Sequence, residues 1–570
     1  MNKLRWQILL VVLALVAIAI LLLGQQPILR AFTTSPAEGG IYIEGLVGSI
    51  GRLNPILDSA NPADQDIDRL LFSGLIRFDD HGNPQPDLAE NWGISVDGLV
   101  YNFTLRENLT WQDGTPLTAE DIAFTVDLLR NPQLPIPEDV RTLWESVEVI
   151  AFDEYHIQFR LPSAFAPFMD YLNFGVLPKH LLGEMDAATL LNAPYNLEPV
   201  GSGPYQFDEL LSANDQVTGV VLRAWDGYHL GRPFIDQIVF HYYETSEAAY
   251  AAYQQGDVLG ISYIDANLLP QVLAEPTLNV YSSRLPRLSI VMLNLDNADV
   301  PFFQEQLVRQ ALMQGINRQW FIDRYLGGQA FIADGPILPG SWAYNENLAS
   351  LPYDVEAAVA LLKQAGYVIP AEGGVRSKDN VSLEFDLVHP DTPLHTQIAQ
   401  SIRDNLAEIG VQVNLVAVPY AELLSTYLEP REYEAALVDL NLSHSPDPDP
   451  YPFWHQAAAT GGQNYSKWDD RRASEYLEQA RVSVNQSQRA RLYRNFQTHF
   501  ARELPSLPLF FPVYSYAVSA QVRGVSVGPI FQSSDRFATI NQWFLVASSQ
   551  LQELEPSPRP EIVEPTNPTP

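Results

Sequence analysis

Between His395 and Val418 the apolar period of the chain changes from helical to extended. Ile398, Ile402, Leu406 and Ile409 recur at three- and four-residue steps, the stripe of one helical face, and Gly410 ends it. Val411, Val413 and Leu415 then alternate as a strand does. A helix running directly into a strand requires a sheet whose faces are covered by helices, which makes this an α/β chain. Asp354 to Gly366 repeats the helical half of the pattern, with an aspartate start, Ala357, Ala358, Leu361 and Leu362 on the apolar side, and glycine as terminator. Leu492, Phe496 and Phe500 stripe a late helix that ends before Pro505. These stripes are core rather than a cofactor surface, and no repeat of 20 to 50 residues suggests a solenoid.

Nearer the start, Tyr101, Phe103 and Leu105 alternate as a half-buried strand, and Asp113-Gly114 supplies a turn. Thr118 is placed to cap a helix, with Asp121 in the capping-box position and Asn131-Pro132 as the stop. The spacing predicts a hairpin followed by a helix.

With 570 residues, 46% of them hydrophobic, the chain can bury several cores, so two or three domains are expected. Its 68 acidic against 34 basic residues, a formal net charge of -34, argue against nucleic acid, whose phosphates need a Lys/Arg surface. The absence of cysteine removes disulfides, thiolate metal sites, Cys nucleophiles and a lipid-bearing cysteine. At the N-terminus Lys3 and Arg5 precede an uninterrupted apolar run from Ile8 to Leu23. In helical form that run crosses most of a ~30 Å hydrocarbon core. No small-x-small cleavage site follows directly, so residues 1–30 read as an anchor, with the remainder outside the cytoplasm, in preference to a removed signal. Residues 31–40 read as a tether, and the Pro- and Glu-rich residues 549–570 as a disordered tail.

Several short segments occur in one order along the chain. They are Leu71-Phe-Ser-Gly-Leu75, Pro86-Asp-Leu-Ala-Glu-Asn-Trp92, Trp111-Gln-Asp-Gly-Thr-Pro-Leu-Thr-Ala-Glu-Asp121 and Val200-Gly-Ser-Gly-Pro-Tyr205. Asp226-Gly-Tyr-His-Leu-Gly-Arg-Pro233, Gln255-Gly-Asp257, Val308-Arg-Gln-Ala-Leu312, Tyr353-Asp-Val-Glu-Ala357 and Ser445-Pro-Asp-Pro-Asp-Pro450 follow. Together they resemble the extracellular solute-binding proteins of family 5, the peptide-, dipeptide- and nickel-binding receptors of ABC importers. The resemblance implies a bilobed, periplasmic-binding-protein-like α/β fold of the larger type II kind. Lobe I would comprise residues 41–288 with a return segment 505–548, and lobe II residues 289–504. A hinge joins them, and solute is enclosed when they close.

Carried over by the same resemblance, Asp64 lies where peptide receptors have an acidic residue before the LFxGL-like motif. Tyr263 follows the Gly-x-Asp segment, His395 opens the second-lobe helix, and Tyr420 matches an aromatic near the start of the second-lobe strand after that helix. In the loop before Pro446, peptide receptors carry a Trp and an Asp that pairs with the peptide's amine; this chain has Asn441 and His444. A buried ammonium needs an anionic partner, which a neutral imidazole does not supply. Asp447 or Asp449 could take that role, while Pro446-Asp-Pro-Asp-Pro450 also reads as a rigid turn with solvated carboxylates. The departure implies a solute held mainly by apolar and hydrogen-bonding contacts.

No nucleophile elbow, Walker loop, His-Glu-x-x-His or dinucleotide fingerprint is present, and the 10 histidines are scattered, so no enzyme, metal or cofactor is expected. A carboxylate-dependent hydrolase is the enzyme alternative, and a tethered sensor or binding module without transport the other. The expected partners are a small solute such as an oligopeptide or dipeptide, importer permease subunits and, through the N-terminal helix, the membrane. No nucleic acid partner is expected, and the chain is expected to act as a monomer at the extracytoplasmic face of the cell membrane, anchored or secreted.

Overall fold

The computed structural model of the chain describes residues 36–546, apart from 80, 81, 372, 443–445 and 529. The N-terminal anchor, residues 31–35 of the tether, the C-terminal tail and His444 therefore lie outside the described residues. Among the described residues, no helix is long and apolar enough to cross a membrane.

The first half begins with β1 (Ile41–Val47), after which Asn61 caps α1 (Pro62–Leu71) by accepting the Ala63 amide. Next come β2 (Ala89–Ile94), β3 (Val100–Leu105), α2 (Ala119–Leu129), β4 (Glu148–Ala151) and β5 (His156–Arg160), whose strands form a separate sheet in the order β2-β3-β5-β4. This is the hairpin and capped helix expected from sequence. Tyr101, Phe103 and Leu105 point into the core, and the Asp121 carboxylate accepts the Thr118 amide at 2.9 Å. Strands β6 (Tyr205–Ala213), β7 (Gln216–Ala224), β8 (Gln237–Tyr243), β9 (Gly260–Ile261) and β10 (Leu278–Arg284) complete this half.

The second half holds β11 (Arg287–Leu293), α3 (Val355–Gln364), β12 (Glu384–Pro390), α4 (Pro393–Glu408), β13 (Gln412–Val418) and β14 (Ala435–Asn441). It continues through α5 (Arg471–Val482) and α6 (Gln486–Glu503) to β15 (Ser506–Ser519). Two of the sequence-predicted helical stripes are buried throughout, Ile398, Ile402, Leu406 and Ile409 along α4 and Leu492, Phe496 and Phe500 along α6, whereas in α3 Ala358 and Leu362 are buried and Ala357 and Leu361 half-buried. Gly410 ends α4 at φ +79°, where a side chain would be strained and its Cβ would meet Arg376 at 3.0 Å.

One 12-stranded sheet runs through both halves in the order β13-β12-β14-β11-β15-β9-β1-β8-β7-β6, with β10 and Ala330–Ile332 also paired to β15. The cores divide along it. Tyr42, Leu70, Phe103 and Trp144 cluster in the first lobe. In the second lobe, Val291, Leu437 and Ile402 pack on one face of the sheet, and Ile290, Val438 and Trp454 on the other. The α/β, two-lobed fold read from the sequence is the fold observed. β15 belongs to both cores, through Leu507, Leu509 and Phe510 on one side and Tyr514, Tyr516 and Val518 on the other. The chain crosses between lobes twice, once along β15 and once from Arg284 to Arg287, where the Leu285 amide donates to the Pro512 carbonyl at 2.9 Å.

Candidate functional site

On the face of β11 and β14 that packs under α4, the first rungs are apolar and the last two are not. Leu293 lies opposite Ala435 and Val291 opposite Leu437, all in the core; then Ser289 lies opposite Asp439 and Arg287 opposite Asn441. Alternate residues of a strand share a face, and directly paired residues of neighbouring strands do too. Arg287, Ser289, Asp439 and Asn441 therefore form a polar patch where the chain crosses from one lobe to the other. Helix α4 begins over that patch. Thr392 caps it, and His395 in its first turn reaches Asp439 with Nε2 3.3 Å from Oδ2. The Thr392 hydroxyl lies 2.7 Å from His395 Nδ1 and fixes the ring. Ser289 donates its hydroxyl to Asp439 Oδ1.

Asp439 thus has one partner on each oxygen. Burial raises its carboxyl, but the hydrogen bond and charge of His395, helped by Ser289 and Arg287, outweigh burial and hold it below the ordinary carboxylate value. Tyr420 stands not near the start of β13 but just past its end, two strands from β14, and is 45% exposed. Burial and then the charge of Asp439 raise its phenol, while Arg287 opposes them. From the first lobe comes Tyr263, 42% exposed and stacked on Tyr514 of β15 with ring centroids 6.2 Å apart. Burial and Asp265 raise the Tyr263 phenol, and Arg287 again acts against them. The positive charge of Arg287 is felt by residues of both lobes.

Of the residues singled out in the sequence, His395 and Asn441 accordingly stand at this patch, and Tyr263 and Tyr420 lie within reach of the charge of Arg287. Two others are engaged elsewhere. Asp64, in α1, is 1% exposed and accepts the Gly51 amide at 2.9 Å, the Arg52 amide at 2.7 Å and the Asn61 side chain at 2.8 Å, so it holds the loop after β1. Asp447 is buried against Arg489 and the Tyr493 hydroxyl, and its own amide donates to Asp170 of the first lobe at 2.5 Å. Asp449 pairs with Arg481 at 2.6 Å. The expectation of a turn with solvated carboxylates is corrected here: α5 and α6 each bring an arginine beneath the prolines, and both carboxylates are neutralised against them. His444 lies outside the described residues.

Arg287, Ser289 and Asp439 are the residues that reading the sequence missed. The signal for Asp439 was available, because in Ala435-Ala-Leu-Val-Asp-Leu-Asn441 the aspartate interrupts the apolar face of an otherwise buried strand. Arg287 and Ser289 carried no comparable signal, since their importance depends on which strand lies opposite.

Other concave and polar features do not compete with this junction. A cavity of about 810 Å³ is lined by Arg223, Trp225, Asp226, Arg232 and Asp236, but Arg232 is already held by Asp226 at 2.7 Å and Asp236 at 2.6 Å. Among the described residues, no group of three His, Asp or Glu side chains is spaced to hold a metal ion.

Residues 83–464 match the bacterial extracellular solute-binding proteins, family 5 Middle. The chain is 26% identical to the oligopeptide-binding protein AppA of Bacillus subtilis over 523 residues, covering 90% of this chain and 92% of that protein. It is 26% identical to the dipeptide-binding protein of Escherichia coli over 477 residues, covering 78% and 84% respectively. Its fold is similar to that of HbpA2 from Haemophilus parasuis, with a TM-score of 0.76 over 89% of this chain and 100% of that one at 21% identity.

Proposed function

The chain belongs to the bacterial extracellular solute-binding proteins of family 5, and on that premise we propose that it captures a small, peptide-like solute at the junction of its lobes and delivers it to an ABC importer. The single observation that carries the location is the polar end of the β11–β14 face, where Arg287 lies beside Asn441 and near Asp439 with its His395 partner, and where the charge of Arg287 acts on Tyr420 and Tyr263. A solute resting there touches both sides of a double chain crossing. Contacts available only when the lobes approach one another favour the closed state by their free energy.

In this reading residues 41–288 with 505–548 act as lobe I and residues 289–504 as lobe II. Tyr263 and Tyr420 supply aromatic walls and Asn441 supplies hydrogen bonds, while His395, engaged by Thr392 and Asp439, orients that carboxylate. Asp64 contributes indirectly by fixing its loop. The protein acts as a monomeric binder rather than a catalyst, and residues 1–30 keep it at the outer face of the membrane. The relatives' binding of oligopeptides and dipeptides supports a peptide-like solute.

The test is native mass spectrometry of protein purified gently from its host, followed by melting of the emptied protein with added peptide pools. Retained solute, and a melting temperature that climbs as peptide concentration passes the dissociation constant, are expected. Absence of both, or an unchanged response in a Tyr263→Ala, Tyr420→Ala double variant, would refute the reading. N-terminal sequencing of the native chain decides the anchor: a mature protein beginning at residue 31 or later removes it.

A further inference from the structure

The charges at the junction are unevenly satisfied. Asp439, its one carboxylate on the shared face, already has Ser289 on Oδ1 and His395 on Oδ2. Arg287 is exposed, and its guanidinium takes part in no hydrogen bond or ion pair among the described residues. Arg481, Arg489 and Arg536 are each seated on a carboxylate, and the chain has 68 acidic residues against 34 basic ones. The backbone register puts Arg287 on the same face as Asp439 and Asn441, at the rung closest to the lobe crossing. Its charge also reaches the half-exposed phenols of Tyr263 and Tyr420 from the two lobes.

Resting on the receptor reading above, we infer that Arg287 receives a carboxylate of the solute, whose remaining body lies between Tyr263 and Tyr420. A guanidinium presents parallel N–H donors that match a carboxylate in bidentate fashion, and the donors of Arg287 are unused. A solute amine is not the principal charged handle, because Asp439, the one carboxylate on the shared face among the described residues, is already occupied on both oxygens. The carboxylate belongs either to the C-terminus of a short peptide or to a non-peptide organic acid.

The experiment uses the full chain, emptied of retained solute, with four probes in calorimetry: a tripeptide pool, the same pool as C-terminal amides, a pool of small aromatic and aliphatic carboxylic acids, and the methyl esters of those acids. One carboxylate pool is expected to bind roughly 10- to 100-fold more tightly than its neutral counterpart, the loss that follows from removing a charge-assisted pair. That difference should collapse in Arg287→Gln and survive in part in Arg287→Lys, with circular dichroism showing both variants folded. Which acid pool binds identifies the source of the carboxylate. Equal binding of amide or ester and free acid overturns the inference and leaves the receptor reading standing, as does a solute released from the native protein that lacks a carboxylate. Failure of all four pools overturns the inference together with the peptide-like reading.

Discussion

Asp58 and Asp68 show how far a carboxyl can be moved by its surroundings. Asp68 is fully buried beside the Asp58 carboxyl, its hydrogen-bonding neighbour, and the Asn54 amide gives its charge only minor relief. Two carboxylates have no proton to share, so the contact exists only when one of them is protonated. Burial accordingly raises Asp68, with Asp58 and Asp64 adding like charge, and burial raises Asp58 to about 7. The sign of the linkage follows: an acid whose folded value lies above its unfolded one contributes its stability at low pH and loses it as pH rises through the folded value. Stability should therefore fall between about pH 4 and pH 7. Asp58→Asn should remove much of that slope and stabilise the protein at pH 8 by about 1 to 3 kcal/mol, since an amide donates to Asp68 at any pH. Urea titrations at pH 4, 6 and 8 read this directly, and a wild-type protein that is more stable at pH 8 than at pH 4 would contradict it. At the junction, Asn441→Ala removes a side-chain partner that solute would bury, at about 1 to 3 kcal/mol or roughly 5- to 150-fold in affinity, measured by calorimetry.

At the scale of elements, α4 links folding to binding. Its stripe and its end were legible, because four apolar residues at helical spacing and Gly410 are local signals that need no partner, whereas its start lies two residues before His395, at Pro393 behind the Thr392 cap. The His395 amide donates to the Thr392 side chain at 3.3 Å, and the same hydroxyl steadies the His395 ring. Thr392→Ala is expected to cost about 0.5 to 2 kcal/mol of stability in urea and, separately, to weaken solute binding, whereas Thr392→Ser preserves both. A stability loss with unchanged binding would mean that the ring is oriented by Asp439 alone. The Pro446–Pro450 turn teaches the opposite lesson. Its rigidity could be read from the prolines, but whether its carboxylates face water or arginine depended on α5 and α6, whose arginines lie 32 and 42 residues further on, and no local pattern encodes that pairing.

Across the whole molecule, the C-terminal return is tied to the first strand and first helix by charge as well as by packing. Arg536, fully buried, donates to Asp66 at 2.6 and 2.8 Å and to Glu44 at 2.6 Å, while Tyr42 and Tyr516 donate to the other Glu44 oxygen at 2.7 and 2.9 Å. Arg536→Ala would leave two uncompensated carboxylates in the core and should cost about 3 to 5 kcal/mol, seen as a lowered denaturant midpoint. A loss under 1 kcal/mol would show that water enters to replace the guanidinium. This cluster joins residues nearly 500 positions apart, and nothing near Glu44 or Arg536 in the sequence announces it. The sequence by itself determined the α/β class, the helices with their caps, the core stripes and the family, because each is written in short-range period, capping chemistry or ordered motifs. Only the tertiary structure decided which carboxylates are free and which are neutralised, and that Arg287, Ser289 and Asp439 share one face at the lobe crossing. Strand register and helix placement set those distances, and a one-residue slip in β14 would have turned Asp439 and Asn441 to the opposite face of the sheet.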